Sequence, residues 1–303
     1  MLGMRFVGSA AVLSLCGALG CSSDPPPGSQ TDGIGNAGSG NGSNGSGNAG
    51  GPSIITDPGS TADAGTGAPD CNSILDVVYR DFSESHPDFE MKFQGDVVRR
   101  GLIESTLGSD QKPVFKDRIG HPPLAGSPTA INTDWQPMEP VIASADSFKQ
   151  WYTSTDGINL PFFKKLPLSE STPGVFGFES DMFFPLTPTE GFGITPKANN
   201  SQGRNFLFTT EVHVLFKYTG GQKFTFRGDD DLWIFVNRKL ALDLGSMHNV
   251  EEGTIDFDAQ AAALGIAVGV DYEMDIFHAE RHTSASNFKI TTNIACFTPA
   301  IIK

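Results

Sequence analysis

Positive charge is scarce in this chain. Of 303 residues only 21 are Lys or Arg, against 35 Asp or Glu, a net charge of −14. That balance excludes the basic footprint of a nucleic-acid binder. Charged residues of either sign make up only 18%. After the first twenty residues no apolar run is long enough to cross a bilayer as a helix. No G-x-S-x-G elbow, Walker loop or dinucleotide fingerprint occurs. What is plentiful is Phe (23), Gly (35) and Pro (20), a mix that suits an exported all-β protein better than a helical one.

The N-terminal seventy residues read as export and tether. Met1 to Arg5 carries one positive charge and Val7 to Leu19 is apolar but short, so residues 1–20 are expected to be a signal peptide. Ala18-Leu19-Gly20-Cys21 resembles a bacterial lipobox, which makes Cys21 the candidate for lipidation. Residues 21–70 hold no aromatic residue and no charged residue except Asp. Such a segment cannot offset chain entropy and is expected to be a disordered Gly/Ser/Asn-rich tether, spanning roughly 35–40 Å. Cys71 and Cys296 then stand at the two ends of the folded part and are expected to be oxidised in an exported chain. Their bridge would close a loop worth about 4–5 kcal/mol in the chain-entropy model.

Strand patterns dominate what lies between. Ile74 to Phe82 reads as an opening strand, and Val141 to Tyr152 holds a short helix capped by Ser144 or Asp146. Val212, Val214, Phe216 and Tyr218 alternate with Glu211, His213 and Lys217, and Gly220-Gly221 predicts a tight hairpin into Phe224. Thr254 to Phe257, Asp271 to Glu280 and Phe288 to Ile294 supply further strands. Strands at spacings of about 8–15 residues with turn signals between them predict an antiparallel sandwich.

One stretch stands out chemically: FTFRGDDDLWIFVNRKLALDLGSMHN, residues 224–249. Gly228 is followed by Asp229, Asp230 and Asp231, and then by Leu232 to Val236, a run that fits a strand buried on both faces. Three carboxylates against a buried strand repel one another and lose hydration, so something must compensate them. A hard cation would do so; so would a salt bridge from Arg227 or Arg281, or hydrogen bonds to the turn's own amides.

The segments DFSESHPDFE (81–90), FFPLTP (183–188), 204–249 and FHAERHTSASNFKI (277–290) resemble the fibro-slime domain of secreted bacterial and slime-mould proteins, in that family's order from Cys71 to Cys296. That domain in turn resembles the protective-antigen-type sandwich of toxins, glycosidases and yeast adhesins. The resemblance implies an all-β, antiparallel, jelly-roll-type sandwich over residues 71–297, with long loops and one short helix. In the adhesin lectins of the wider group an Asp-Asp pair binds calcium, which in turn holds sugar hydroxyls. Asn237 sits where the sandwich has its Asp/Asn-Gly turn, with Arg238 in place of the Gly, and that register favours Asp229-Asp230 as the pair. Calcium takes 6–8 oxygen ligands, so Asp231 and, from the loop 278–287, Asn287 and backbone carbonyls are the expected complement.

The resemblance therefore implies a surface-tethered, calcium-dependent carbohydrate-binding or adhesion module of the cell envelope or extracellular matrix. Its partner would be an extracellular or cell-surface polysaccharide, with membrane contact only through the N-terminal lipid. His248, His278, Glu280, Arg281 and His282 are the candidate ligand-contacting residues. Alternation places His278 with Met274 and Ile276, on the core side of its strand. Two other classes stay open: a structural matrix or protein-interaction domain whose acidic turn is architectural, and a glycoside hydrolase using Asp231 and Glu280 as its carboxylate pair.

Overall fold

The computed structural model describes residues 73–91, 98–122, 139–196 and 200–300. The signal peptide 1–20, Cys21, the tether 21–70 and Cys71 lie outside the described residues. The strands are β1 (Ile74–Phe82), β2 (Asn159–Pro167), β3 (Ser169–Thr172), β4 (Val175–Ser180), β5 (Phe208–Lys217), β6 (Lys223–Gly228), β7 (Asp231–Val236), β8 (Lys239–Leu244), β9 (Glu251–Asp256), β10 (Asp271–Glu280), β11 (Phe288–Thr292) and β12 (Thr298–Pro299). Two helices, α1 (Ala145–Lys149) and α2 (Phe257–Leu264), complete the described elements. One sheet runs β2-β1-β5-β10-β7-β8, with β12 also on β5; the other runs β3-β4-β11-β6-β9.

Period-2 patterning explains how the sheets face each other. Val212, Val214 and Phe216 of β5, Met274 and Ile276 of β10 and Ile234 and Val236 of β7 pack with Phe224, Phe226, Ile255, Phe288 and Ile290 of the second sheet. The larger sheet is also covered on its outer side. Trp233 and Phe235 of β7, with Phe277 and Ala279 of β10, point away from the sandwich into a second core. That core is closed by an overlay formed by described residues between 82 and 153, including Phe89, Leu102, Ile103, Phe148, Trp151 and Tyr152. The first-half Phe residues divide between the layers: Phe183 joins the first core and Phe184 packs on the second.

Two expectations need correcting. The glycines Gly220-Gly221 do not close a hairpin, because β5 and β6 belong to different sheets and the turn carries the chain from one to the other. The strand expected over 254–257 is the end of β9 and runs one residue too far: β9 stops at Asp256, whose carboxylate accepts from Ala259 N and caps α2, and Gly265 ends that helix in a left-handed conformation. The true hairpin in this region joins β7 and β8. Both of its turn residues, Asn237 (φ 50) and Arg238 (φ 63), are left-handed, as a type I′ turn demands. Arg238 holds that conformation while its guanidinium donates to the carbonyls of Leu107 and Gly108 in the overlay. Cys296 is disulfide-bonded.

Candidate functional site

The acidic triplet is another passage between the sheets, leaving β6 in one and entering β7 in the other. Gly228 is required at its start by close approach: a Cβ there would lie 2.4 Å from the Asn287 carbonyl oxygen. The three aspartates are nearly sealed, with exposures of 6%, 5% and 0% for Asp229, Asp230 and Asp231.

Each carboxylate has a different set of donors. Asp229 accepts from the main-chain N (2.5 Å) and the side-chain Nδ2 (2.9 Å) of Asn287. Asp230 accepts from His248 N at 3.2 Å and Arg281 N at 3.1 Å. Asp231 accepts from Ser246 N at 2.6 Å and Arg281 Nε at 2.7 Å. The loop 278–287 thus meets the turn, as expected, through Arg281 and Asn287. In this arrangement Asn287 is a donor to Asp229, which leaves its amide oxygen as the only side-chain atom it could offer a cation.

Glu280 sits beside this group with no exposure and with neither carboxylate oxygen in a well-formed hydrogen bond, although the Ser286 hydroxyl and the His282 main-chain N–H lie close enough to lower its pKa slightly against the rise from burial. The adjacent Ser286 hydroxyl gives its proton to the Phe183 carbonyl instead. Burial pushes the Glu280 carboxyl well above the usual range, and Asp230 and Asp229 push it further. Burial likewise raises Asp230 well above its ordinary value, and raises Asp229 in spite of the Asn287 donors. Arg281 is the one guanidinium bonded into the cluster. Burial alone would lower it, but Asp231 and Asp230 hold it above its usual value.

Arg281 also ties the turn to the overlay. Its Nη1 donates to the carbonyls of Asp88 (3.0 Å) and Val141 (2.8 Å), and its guanidinium lies 4.6 Å from the Trp151 ring centre. Asp88 in turn accepts from Trp151 Nε1 and Ala143 N. This Asp88–Trp151 support was missed in the sequence, although Asp88 lies in one of the segments that carried the family resemblance.

The histidines separate by position. His278 is fully buried among Phe183, Phe208, Phe226 and Phe288. Its Nε2 donates to the Asp229 carbonyl at 2.9 Å and its Nδ1 faces Thr210 Oγ1 at 3.2 Å, and burial lowers its pKa to about 4. It therefore buttresses the turn from the core side. His248 is 3% exposed and faces the carbonyls of Asn249 and Leu244. His282, partly exposed, lies 4.0 Å from Glu90 at the rim. The carboxylate pair considered for hydrolysis, Asp231 and Glu280, is fully buried at both members.

The donor chemistry suits a hard cation: Asp229, Asp230 and the two unpartnered oxygens of Glu280 are all carboxylate oxygens, the class calcium prefers. Among the described residues no three His, Cys, Asp or Glu side chains already converge on one metal position. Backbone carbonyls and the Asn287 amide oxygen would have to complete a shell.

No family model matches the chain, and the expected fibro-slime membership has no such match behind it. Over 242 residues, 74% of its length, the chain is 34% identical to protein psiJ of Dictyostelium discoideum. It is 32% identical to psiD over 231 residues and to psiQ over 235 residues of the same organism. It covers 31%, 42% and 21% of those three proteins, so it spans less than half the length of the relatives it matches. Among solved structures it is similar, at 11% identity, to a PA14 sugar-binding domain from an RTX adhesin (TM-score 0.21, covering 32% of this chain and 52% of that one). A second likeness, at 12% identity, is to an anti-sigma factor domain-containing protein from Clostridium clariflavum (TM-score 0.25, covering 77% and 82%). TM-scores of that size are too low for a shared architecture to follow. The chain is thus a two-sheet antiparallel β-protein, similar over about three quarters of its length to a segment of the Dictyostelium psi proteins.

Proposed function

We propose that this protein is a calcium-dependent carbohydrate-binding or adhesion module, held to the cell envelope through lipidated Cys21 and the tether 21–70. One observation carries the reading: the sealed carboxylate excess at the acidic turn. Asp229, Asp230, Asp231 and Glu280 face one bonded guanidinium, and that guanidinium is spent on Asp231. Asp230 and Glu280 are left to be neutralised by protons or by a cation. Calcium bound by Asp229, Asp230 and Glu280, with help from Asn287, would supply the missing charge, and a sugar hydroxyl would have to reach it past Asp229 and Asp230, the two carboxylates with any exposure. Loop residues Ser284 and Ala285 and the rim residue Asn249 are exposed nearby, and His282 lies at the edge where a saccharide would arrive. A Cys71–Cys296 bridge would close the domain's two ends together.

The test is binding to an array of polysaccharide fragments with calcium and with chelator. Binding should vanish with chelator and return with calcium, and Asp229→Asn with Asp230→Asn should abolish it in a folded protein. Sugar binding that survives chelation sinks the calcium mechanism. A second reading, a matrix or protein-interaction domain, is favoured by a specific fact: all three aspartates already receive main-chain donors. Folding that collapses in both Asn variants, with no sugar bound by the parent, selects that reading.

A further inference from the structure

A second charged cluster lies on the outer face of the larger sheet, under the overlay. Glu211 and His213 of β5 sit beside Arg80 of β1 and Asp275 of β10, and Lys112 reaches them from the overlay. The Glu211 side chain has no exposure at all. Arg80 Nη1 donates to its Oε2 at 2.5 Å, and His213 Nε2 meets its Oε1 at 2.6 Å. Lys112 Nζ contacts that same Oε1. On its other side His213 Nδ1 meets Asp275 Oδ1 at 2.6 Å. Each of the two short His213 contacts needs one proton, carried by the ring nitrogen or by the carboxyl group. Asp275 Oδ2 is buried with no partner.

Ion pairing alone accounts for the charges, but the arrangement is also that of an acyl-transfer site. An amine touches the carboxyl group, a guanidinium holds one carboxyl oxygen, an acid sits on the other, and a carboxylate orients that acid. Burial, and then the neighbouring Arg80, lower the Lys112 amine to about 8, so its neutral, nucleophilic form is accessible near neutral pH. The enclosure supplies proximity, and an amide removes the desolvation cost that a buried ion pair carries.

We propose that Lys112 and Glu211 condense into an intramolecular isopeptide bond. Lys112 Nζ attacks Cδ of Glu211, forming the C–N bond, while Arg80 Nη1 holds the negative charge that develops on Oε2. His213 Nε2 delivers a proton to Oε1 as the Cδ–Oε1 bond breaks, and Asp275 acts as its positioning residue. Two protons of the starting ammonium end on Oε1, which leaves as water; an ammonium and a carboxylate become an amide, and nothing is oxidised or reduced. A cavity of about 360 Å³ between β1, β2 and β12 adjoins the cluster and is lined by His213 and by Glu211, whose side chain is itself sealed. The product would bolt the overlay to the middle of the sheet.

Mass spectrometry of the purified full chain, with its disulfide reduced, decides the matter without any variant. The expected mass is one water below that of the mature sequence, and a protease digest should give one branched peptide joining the Lys112 and Glu211 segments. Lys112→Arg keeps a cation on Glu211 and should restore the full mass. Asp275→Asn, where folded, should leave a fraction of chains uncondensed. A parent chain at full mass with the two peptides separate overturns the proposal. So does a water loss that persists in Lys112→Arg, while condensation undiminished in folded Asp275→Asn removes Asp275 from the mechanism.

Discussion

His278 shows how a single buried side chain sets a pH limit on this fold. Its folded pKa is lowered to about 4 by burial, below the ordinary value near 6.5, so the folded state prefers the neutral ring. The stability this represents is complete above about pH 6.5 and is lost as pH falls towards 4, a total of roughly 3 kcal/mol. Denaturant unfolding at stepped pH should show that decline, and the His278 ring resonances should stay neutral through pH 5; a ring titrating near 6.5 would contradict it. Arg281 makes the complementary point about charge. With Asp231 it forms an ion pair in which both side chains are fully buried. Arg281→Gln strands Asp231 without its cation and should cost about 3–5 kcal/mol, read as a lowered denaturant midpoint. The sequence offered Arg281 both as a ligand contact and as a salt bridge to the acidic turn; the bridge is present, to Asp231, and further contacts run inward to Asp88, Val141 and Trp151. A side chain's long-range partners are not coded in local spacing, so that inward role could not be read.

At the scale of elements, the passage from β6 to β7 depends on how closely it can press against the loop before β11. Gly228→Ala places a methyl group against the Asn287 carbonyl. The expected result is a displaced turn, a loss of about 1–3 kcal/mol and, if calcium binds as proposed, a weaker affinity by calorimetry; an unchanged midpoint would show that the approach is not needed. Several elements were legible because their periodicity is strong: β1 and β10 run over the residues expected, and Ser144 caps α1. The Gly220-Gly221 hairpin failed because a glycine pair specifies a turn but not which sheet the next strand joins. The helix α2 was missed although Asp256, an Ala-rich run and Gly265 bracket it. The largest miss concerned Glu211 and His213, read only as the polar residues that alternate with the apolar face of β5. Leu232 to Val236 had already been read as buried on both faces. If β7 is covered outside, charged residues on the outer face of the same sheet can be covered too, and here they are.

The described residues form three layers, two sheets and an overlay; Cys71 and Cys296 are the expected bounds of the domain. If those cysteines pair, Cys296→Ser should lower stability by about 4–5 kcal/mol in the chain-entropy model, measured against the parent under oxidising conditions. An unchanged midpoint would show that no bridge from Cys296 stabilises the fold by constraining the unfolded chain. The strand order of the larger sheet carries a further consequence for biosynthesis. β10 bonds to β5 on one side and to β7 on the other, yet it is the tenth strand of twelve to leave the ribosome. Until it emerges, β5 and β7 each present an open edge and a bare apolar face, the condition that invites aggregation. The chain should therefore need a holding chaperone for most of its synthesis, and truncation before residue 271 should yield no partial domain but an aggregate.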